Sequence, residues 1–173
     1  ILLSQSGETK DLHRCITIAR KHDLFTIGVV NVVDSLISRE VDCGCYLNAG
    51  REVAVASTKS FTSQCIVLSL IAIWFSQQRN INFYKRLHYI QDLGKLSVDI
   101  SNILSSIEHD VAHILPLFEK QTSCFVLGKG QSEYIAHEGS LKIKEISYIH
   151  CEGYSTSSLK HGPFALLCDK FPV

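Results

Sequence analysis

The chain has 173 residues, 46% of them hydrophobic, with 17 basic and 17 acidic side chains and a formal net charge of zero. That balance provides no global field for nucleic acid or an acidic membrane, and leaves only a local anion site open. The hydrophobic share excludes a disordered chain, and the length admits one domain, or two small or incomplete ones, with a core that needs no disulfide framework.

Ile1-Leu2-Leu3 reads as the tail of a strand and Phe171-Pro172-Val173 as the start of another, so the sequence is expected to be an excerpt of a longer protein. No basic segment with a cleavage site is visible, so no signal peptide is expected. A polar turn, Ser4-Gln5-Ser6-Gly7-Glu8-Thr9, precedes a helix predicted from Thr9 to His22, with Leu12, Ile16 and Ala19 on one face. Leu24 to Val30 is almost wholly apolar and suits a parallel strand covered on both faces. A short helix is expected over Ser35 to Arg39, and a further strand over Asp42 to Leu47.

A long helix is predicted from Thr58 to Gln77, with Phe61, Cys65, Leu68, Ala72 and Phe75 at helical spacing. Its apolar run, Cys65 to Phe75, is read as too short to span a bilayer and is interrupted by Ser69. Residues 79 to 99 are more polar and contain Gly94, which reads as a linker with an imperfect helix. Ile103, Ile107, Val111, Ile114 and Leu117 mark the next helix, to about Lys120. The pattern then restarts with strand Cys124 to Leu127, turn Gly128 to Ser132 and helix Glu133 to Ile149. Strand, turn, helix thus occurs twice, which implies two related α/β halves, each cut short. The expected division is 1–78 for the first, 79–100 for linker and helix, and 101–173 for the second.

Seven cysteines, an odd number, lie mostly in apolar or helical contexts and are read as reduced and buried. Cys43-x-Cys45 would share one strand face, but no second pair or histidine cluster completes a zinc pattern. A reducing, cytoplasmic location is the expectation. His109 and His113 are four apart, but Asp110, Val111 and Ala112 between them rule out the zinc-protease helix motif, so no metal site is expected. Aromatic residues do not interleave with a basic patch, which argues against nucleic acid.

Four stretches could carry chemistry. Ser4 to Thr9 offers hydroxyls, an amide and a glycine just before a helix, whose first N–H groups point outward unpaired. It can act as a helix cap, as a phosphate cradle, or as both, and Glu8 must then point away from an anion. Asn48-Ala49-Gly50 and Val55-Ala56-Ser57-Thr58-Lys59 lead into the long helix, where Ser57 serves as a cap or as a second wall of a sugar site. Gly128-Lys129-Gly130 lacks the third glycine of a dinucleotide fingerprint and the spacing of a Walker loop, so it is structural or lines another ligand. Glu138, Lys142 and Glu145 share a helix face while Lys144 turns away; they form either a solvated ion-pair ladder or a carboxylate base held beside an ammonium. Lys160-His161-Gly162-Pro163 presents a histidine before a fixed turn, either merely exposed or passing protons.

In the same stretches the chain resembles a family. Ser4-Gln5-Ser6-Gly7-Glu8-Thr9 is similar to the phosphate loop of sugar isomerase (SIS) domains. The ordered set formed by Asn48 to Gly50, Val55 to Lys59, Glu138 to His150 and Leu159 to Pro163 resembles the isomerase portion of the glutamine–fructose-6-phosphate aminotransferases. The resemblance implies a flavodoxin-like three-layer α/β sandwich with a parallel sheet, repeated as two incomplete SIS domains. It implies that Ser4, Gln5, Ser6 and Thr9 hold the phosphate of fructose 6-phosphate, and that Val55 and Ser57 touch the sugar. Glu145 would shuttle a proton between C1 and C2 with Lys142 beside it, and Glu138 is the further carboxylate. His161 would assist ring opening in the neighbouring subunit of a dimer. Glutamine is the nitrogen donor, its ammonia coming from an amidotransferase domain outside these residues, and no redox or metal cofactor is implied.

The chain departs from the family in places. A lysine-bearing tail and the amidotransferase cysteine lie outside it. Glu133-Tyr134-Ile135-Ala136 stands where a proline-containing segment is usual, and His137 replaces a small or apolar residue. Losing the proline restores a backbone donor, whereas His137 is expected to press a polar group against the helix packing. Two further functions fit the residues less fully: a stand-alone phosphosugar isomerase, and a non-catalytic sugar-phosphate-binding or degenerate SIS fragment.

Overall fold

Strands alternating with helices produce parallel sheets here, as the apolar runs require. The computed structural model describes residues 1–173. The chain divides into two units, Ile1–Leu96 and Ser97–Val173. The first holds β1 (Leu2–Ser4), α1 (Lys10–Lys21), β2 (Ile27–Val30), α2 (Leu36–Glu40), β3 (Cys43–Tyr46) and α3 (Lys59–Gln78). Its three strands are parallel in the order β1-β2-β3, with Leu2 opposite Gly28 and Gly28 opposite Gly44.

The core of this unit is Leu2, Ile16, Val30 and Ile37, with Leu12 and Val41 packed against it. Burial of each such aliphatic side chain stabilises the unit by about 1.5–3 kcal/mol. Ile16 and Leu12 come from the predicted face of α1. The second strand is shorter than its apolar run. Leu24 and Phe25 are 60% and 70% exposed, because ladder pairing with β3 begins only at Ile27. Just before the strand, Asp42 Oδ2 accepts hydrogen bonds from the Thr26 N–H at 2.8 Å and the Thr26 hydroxyl at 2.7 Å. The Asp42 N–H in turn donates to Thr26 Oγ1 at 3.1 Å.

The Thr26 side-chain hydrogen bond, then its backbone one, hold the Asp42 carboxyl below its ordinary value of 3.8. A carboxyl depressed in the folded state adds stability that is complete above its unfolded value and is lost as pH falls through the folded one. The β2–β3 junction should therefore weaken on acidification below about pH 4. Asp42→Asn should flatten that part of a stability-against-pH curve measured by urea melts; an unchanged acid limb would remove Asp42 from the account.

Two expectations change on α3 and beyond. The apolar stripe of Phe61, Cys65, Leu68, Ala72 and Phe75 is not buried, and Ser60 is the only buried residue of α3. Apolar residues surround this helix rather than forming one face, so periodicity alone selects no side. By length and composition alone the 20 residues of α3 would suffice to cross a membrane, a test that a core helix of a soluble protein also passes; the Cys65 to Phe75 run itself is shorter than a span. Residues 79–99, expected as a linker with an imperfect helix, are helical from Phe83 onward: α4 runs unbroken from Phe83 to Phe118, 36 residues that include Gly94. A single glycine costs a helix only about 1 kcal/mol, which the flanking good helix formers offset.

The second unit holds the end of α4, then β4 (Ser123–Gly128), α5 (Gln131–Ser147), β5 (His150–Ser155) and two 3₁₀ turns, Ser158–His161 and Pro163–Leu166. β4 and β5 are parallel, with Cys124 opposite Cys151. Strand β5 was not anticipated from its polar sequence. A Cβ at Gly153 would come within 2.7 Å of the His137 Cα, so glycine lets α5 close onto this strand. Ala136 and Ser140 are the buried residues of α5. The Phe125 ring meets Tyr154 and Phe171 at 5.2 and 4.7 Å between centroids. Past the last turn, the Phe125 N–H donates to the Pro172 carbonyl at 3.0 Å, but Phe171 to Val173 form no strand.

All seven cysteines are free, but only Cys124 and Cys151 are buried. The other five are exposed, so the expectation that most are buried is corrected. Edge strand β3 and the unburied surface of α3 leave Cys43, Cys45 and Cys65 open to solvent. Burial, then the hydrogen bond with Cys124, pushes the Cys151 thiol up to about 12.

Candidate functional site

Ser4 ends β1 and is buried, which fixes the origin of the turn that follows. Its Oγ accepts the Gly7 N–H at 3.0 Å and shares a hydrogen bond with Thr9 Oγ1 at 2.9 Å. Ser6 Oγ accepts the Glu8 N–H at 3.2 Å. Gly7 has φ +70°, and a Cβ there would lie 1.9 Å from Ser35 Oγ, so only glycine fits. Glu8 does point away, as an anion site requires: its Oε1 accepts the Leu36 N–H at 2.8 Å, at the start of α2.

Helix α1 begins at Lys10, and its N-cap residue Thr9 makes no side-chain cap hydrogen bond. Capping of α1 by Ser6 is therefore not what the turn does. No protein side chain satisfies the first N–H groups of α1, and an uncapped helix start of this kind favours an anion. The hydroxyls of Ser4, Ser6 and Thr9 and the amide of Gln5 gather within six residues of that start.

A cavity of about 570 Å³ lies beside Gln5, lined also by Asn31, Asn48, Gly50, Arg51 and Glu52. Arg51 and Asn31 were not anticipated. Asn31 ties both walls together. Its N–H donates to the Gln5 carbonyl at 3.2 Å, its Nδ2 donates to the Gly50 carbonyl at 2.7 Å, and its Oδ1 accepts the Ala49 N–H at 3.0 Å. Its position directly after β2 and before a turn was the available signal. Asn31→Ala removes two hydrogen bonds and should cost about 1–3 kcal/mol in a denaturant melt. A loss too small to measure would deny Asn31 this fastening role.

Val55 is 91% exposed. Ser57 Oγ bonds Ser60 Oγ, and Glu52 Oε2 accepts the Ser60 N–H at 3.1 Å and the Ser60 hydroxyl at 2.7 Å. Glu52 thus caps α3, whereas Thr58, at the N-cap position, makes no side-chain cap bond. The Ser60 side-chain hydrogen bond, then its backbone one, hold the Glu52 carboxyl below its usual value. A capping carboxylate reaching back from six residues upstream of the N-cap leaves no short sequence signature.

Glu138, Lys142 and Glu145 belong to the second unit and share one face of α5. Lys142 Nζ is 2.6 Å from Glu145 Oε2 and 3.6 Å from Glu138 Oε1. The three side chains are only 19–26% exposed, so the cluster is not a fully solvated ladder. Burial pulls the Lys142 ammonium down, but the hydrogen bond and charge of Glu145, then of Glu138, outweigh it and raise Lys142 above its ordinary range. An ammonium held charged between two carboxylates can stabilise charge developing on a nearby oxygen. The carboxylate in contact with it can accept or return a proton.

The close approach at Gly128 positions this face. A Cβ there would sit 2.2 Å from the Ser132 carbonyl oxygen, so β4 and the first turn of α5 meet only through glycine. The Thr156 N–H and hydroxyl donate to the Gly128 carbonyl at 2.8 and 2.9 Å. The Gly-Lys-Gly turn is accordingly structural. His137 points outward beside Glu133 with its side chain 54% exposed, so it does not press into the packing. His161 ends a 3₁₀ turn just before Gly162 and Pro163 and is exposed, with no hydrogen bond or ion pair to Lys142, Glu138 or Glu145. No group of three or more His, Cys, Asp or Glu is placed to hold a metal ion.

The sequence pattern of the SIS domain matches residues 1–74 and 117–173. The chain belongs to the SIS-domain family. Both the Ser4 to Thr9 turn and the α5 cluster lie inside the matched segments, and so does most of α3. The SIS chain is 51% identical over 173 residues to an Acanthamoeba polyphaga mimivirus protein named "Probable glutamine–fructose-6-phosphate aminotransferase (isomerizing)", covering 100% of this chain and 28% of that one. It is 43% identical to human glutamine–fructose-6-phosphate aminotransferase (isomerizing) 2, covering 99% of this chain and 25% of that enzyme. Among solved structures, the C-terminal domain of glucosamine-fructose-6-phosphate aminotransferase from Francisella tularensis superposes with a TM-score of 0.93 at 34% identity, over 98% of this chain and 48% of that one. This SIS chain is homologous to those aminotransferases and spans roughly a quarter of the length of the curated relatives it matches.

Proposed function

We propose that this SIS chain is the isomerase part of an aminotransferase that converts fructose 6-phosphate and glutamine to glucosamine 6-phosphate and glutamate. The observation that carries the reading is the half-buried Glu138–Lys142–Glu145 cluster on one face of α5. An isomerisation between adjacent carbons needs one group to take a proton from C1 or C2 and return it to the other. Glu145 fits that role, Lys142 fits stabilisation of the enediol oxygen, and Glu138 fits holding the ammonium in place. The Ser4, Gln5, Ser6 and Thr9 turn takes the phosphate, and Val55 and Ser57 serve the sugar. His161, exposed at its turn, assists ring opening in a neighbouring subunit of a dimer. Ammonia reaches the sugar from an amidotransferase domain of the same longer protein, which works in the cytoplasm without a redox cofactor.

Titration of the 173-residue chain with fructose 6-phosphate and with fructose tests the phosphate assignment. The phosphorylated sugar should bind more tightly, and Ser6→Ala should weaken it roughly ten- to hundredfold, the loss of one charge-assisted hydrogen bond. Ser6 is exposed, so the variant should melt as the parent does. Equal affinity for the two sugars would remove the phosphate role.

A further inference from the structure

Away from the residues assigned to sugar chemistry, two imidazoles converge on the surface of α4. His109 and His113 lie a turn apart on α4, and their Nε2 atoms are 3.3 Å from each other. The rings meet edge to face with centroids 4.6 Å apart. Of the eight histidines in the chain, these two alone are spaced four apart. Both are exposed, so a hydrated ion reaches them without opening the fold.

We propose that His109 and His113 form a two-imidazole chelate for a divalent late first-row transition metal ion, with zinc as its occupant. Zinc binds imidazole nitrogen at about 2.0–2.1 Å, so two nitrogens 3.3 Å apart subtend about 107° at the metal, close to a tetrahedral angle. In the metal-free chain the facing nitrogens share one hydrogen. Binding needs both lone pairs, so that hydrogen passes through solvent to Nδ1 of its own ring. His109 Nδ1 already has Asp110 Oδ1 3.7 Å away, a carboxylate suited to orient the Nδ1–H form. Water fills the remaining two positions. Asp110, Val111 and Ala112 between the two histidines exclude the zinc-protease helix motif, and the site is instead an open two-ligand one.

Its place on the helix gives binding a consequence. Pro116 lies inside α4 and has no N–H, so the Ala112 carbonyl loses its helical partner. The turn from His109 to His113 runs directly into that defect. A metal bridging the two rings cross-links the turn and should hold the end of α4 helical.

The test is a zinc chloride titration of the 173-residue chain, its exposed thiols first blocked with iodoacetamide, followed by histidine-selective nitrogen NMR. The Nε2 signals of His109 and His113 should move together and saturate, while those of the other six histidines stay put. H109Q and H113Q should each weaken zinc binding at least about tenfold, because each leaves one ligand without its chelate partner. Without zinc both variants should melt as the parent does; with zinc only the parent should gain thermal stability. Unmoved His109 and His113 signals in large zinc excess would overturn the proposal, as would equal zinc affinity in parent and variants.

Discussion

Glu145→Gln should lower turnover by ~10²–10⁴-fold, the range for loss of general acid–base help, in a full-length aminotransferase that carries this segment. The substitution keeps the shape of the side chain and an oxygen facing Lys142. Lys142 also keeps Glu138 at 3.6 Å, so the ammonium is not stranded in its half-buried place. Fructose 6-phosphate should still bind, since its phosphate is assigned to the Ser4 to Thr9 turn. The decisive measurement is exchange of the C1 hydrogen with deuterated solvent. The variant should bind the sugar and exchange almost nothing. Near-normal exchange would move the proton transfer to another carboxylate, with Glu138 the next candidate. The 173-residue chain alone should also show essentially no exchange, because the proteins it matches, named as these aminotransferases, are about four times its length.

Gly128→Ala should be the most damaging small change for the second unit. The added Cβ would lie 2.2 Å from the Ser132 carbonyl oxygen and 2.4 Å from the Glu133 nitrogen. Both are backbone atoms in the first turn of α5, so no flexible side-chain end can step aside. Relief requires α5 to shift against β4, and overpacking of that kind costs about 1–3 kcal/mol, occasionally more. The shift would also displace the α5 face that carries Glu138, Lys142 and Glu145. A urea melt that follows a signal from β4 and α5 should show the transition at clearly lower denaturant. An unchanged midpoint would mean that the strand and helix tolerate separation and that the glycine is not required for packing.

Much of the fold was legible because its signals are local. Leu12, Ile16 and Ala19 repeat at helical spacing, and Ile16 is buried at the centre of the first unit. Val29 and Val30 lie in a continuous apolar run and are fully covered, as a parallel strand between two neighbours requires. The ends of elements were less legible. Leu24 and Phe25 look like strand residues but lie outside the ladder, since β3 begins opposite Ile27. Strand β5 carries histidine, glutamate and serine, and its pairing with β4 comes from neighbours distant in sequence. The polar stretch before Ile103 became part of a 36-residue helix because nothing within it stops helix propagation.

The same division runs through the candidate site. Sequence alone identified the Ser4 to Thr9 turn, the i, i+3 and i, i+4 spacing of Glu138, Lys142 and Glu145, and the reason Glu8 must turn away from an anion. Each depends on residues a few positions apart, where helix and turn geometry dictate who can meet whom. Tertiary structure decided the rest. It placed Glu8 on the start of α2, brought Asn31 to the Gly50 carbonyl, and set Glu52 on the start of α3. It also decided between a solvated ladder and a half-buried cluster at Lys142, because exposure depends on what packs beside a helix and not on the helix itself. Hydrogen bonds across 19 or 28 residues of chain need a fold to close the loop, and no periodicity records them in advance.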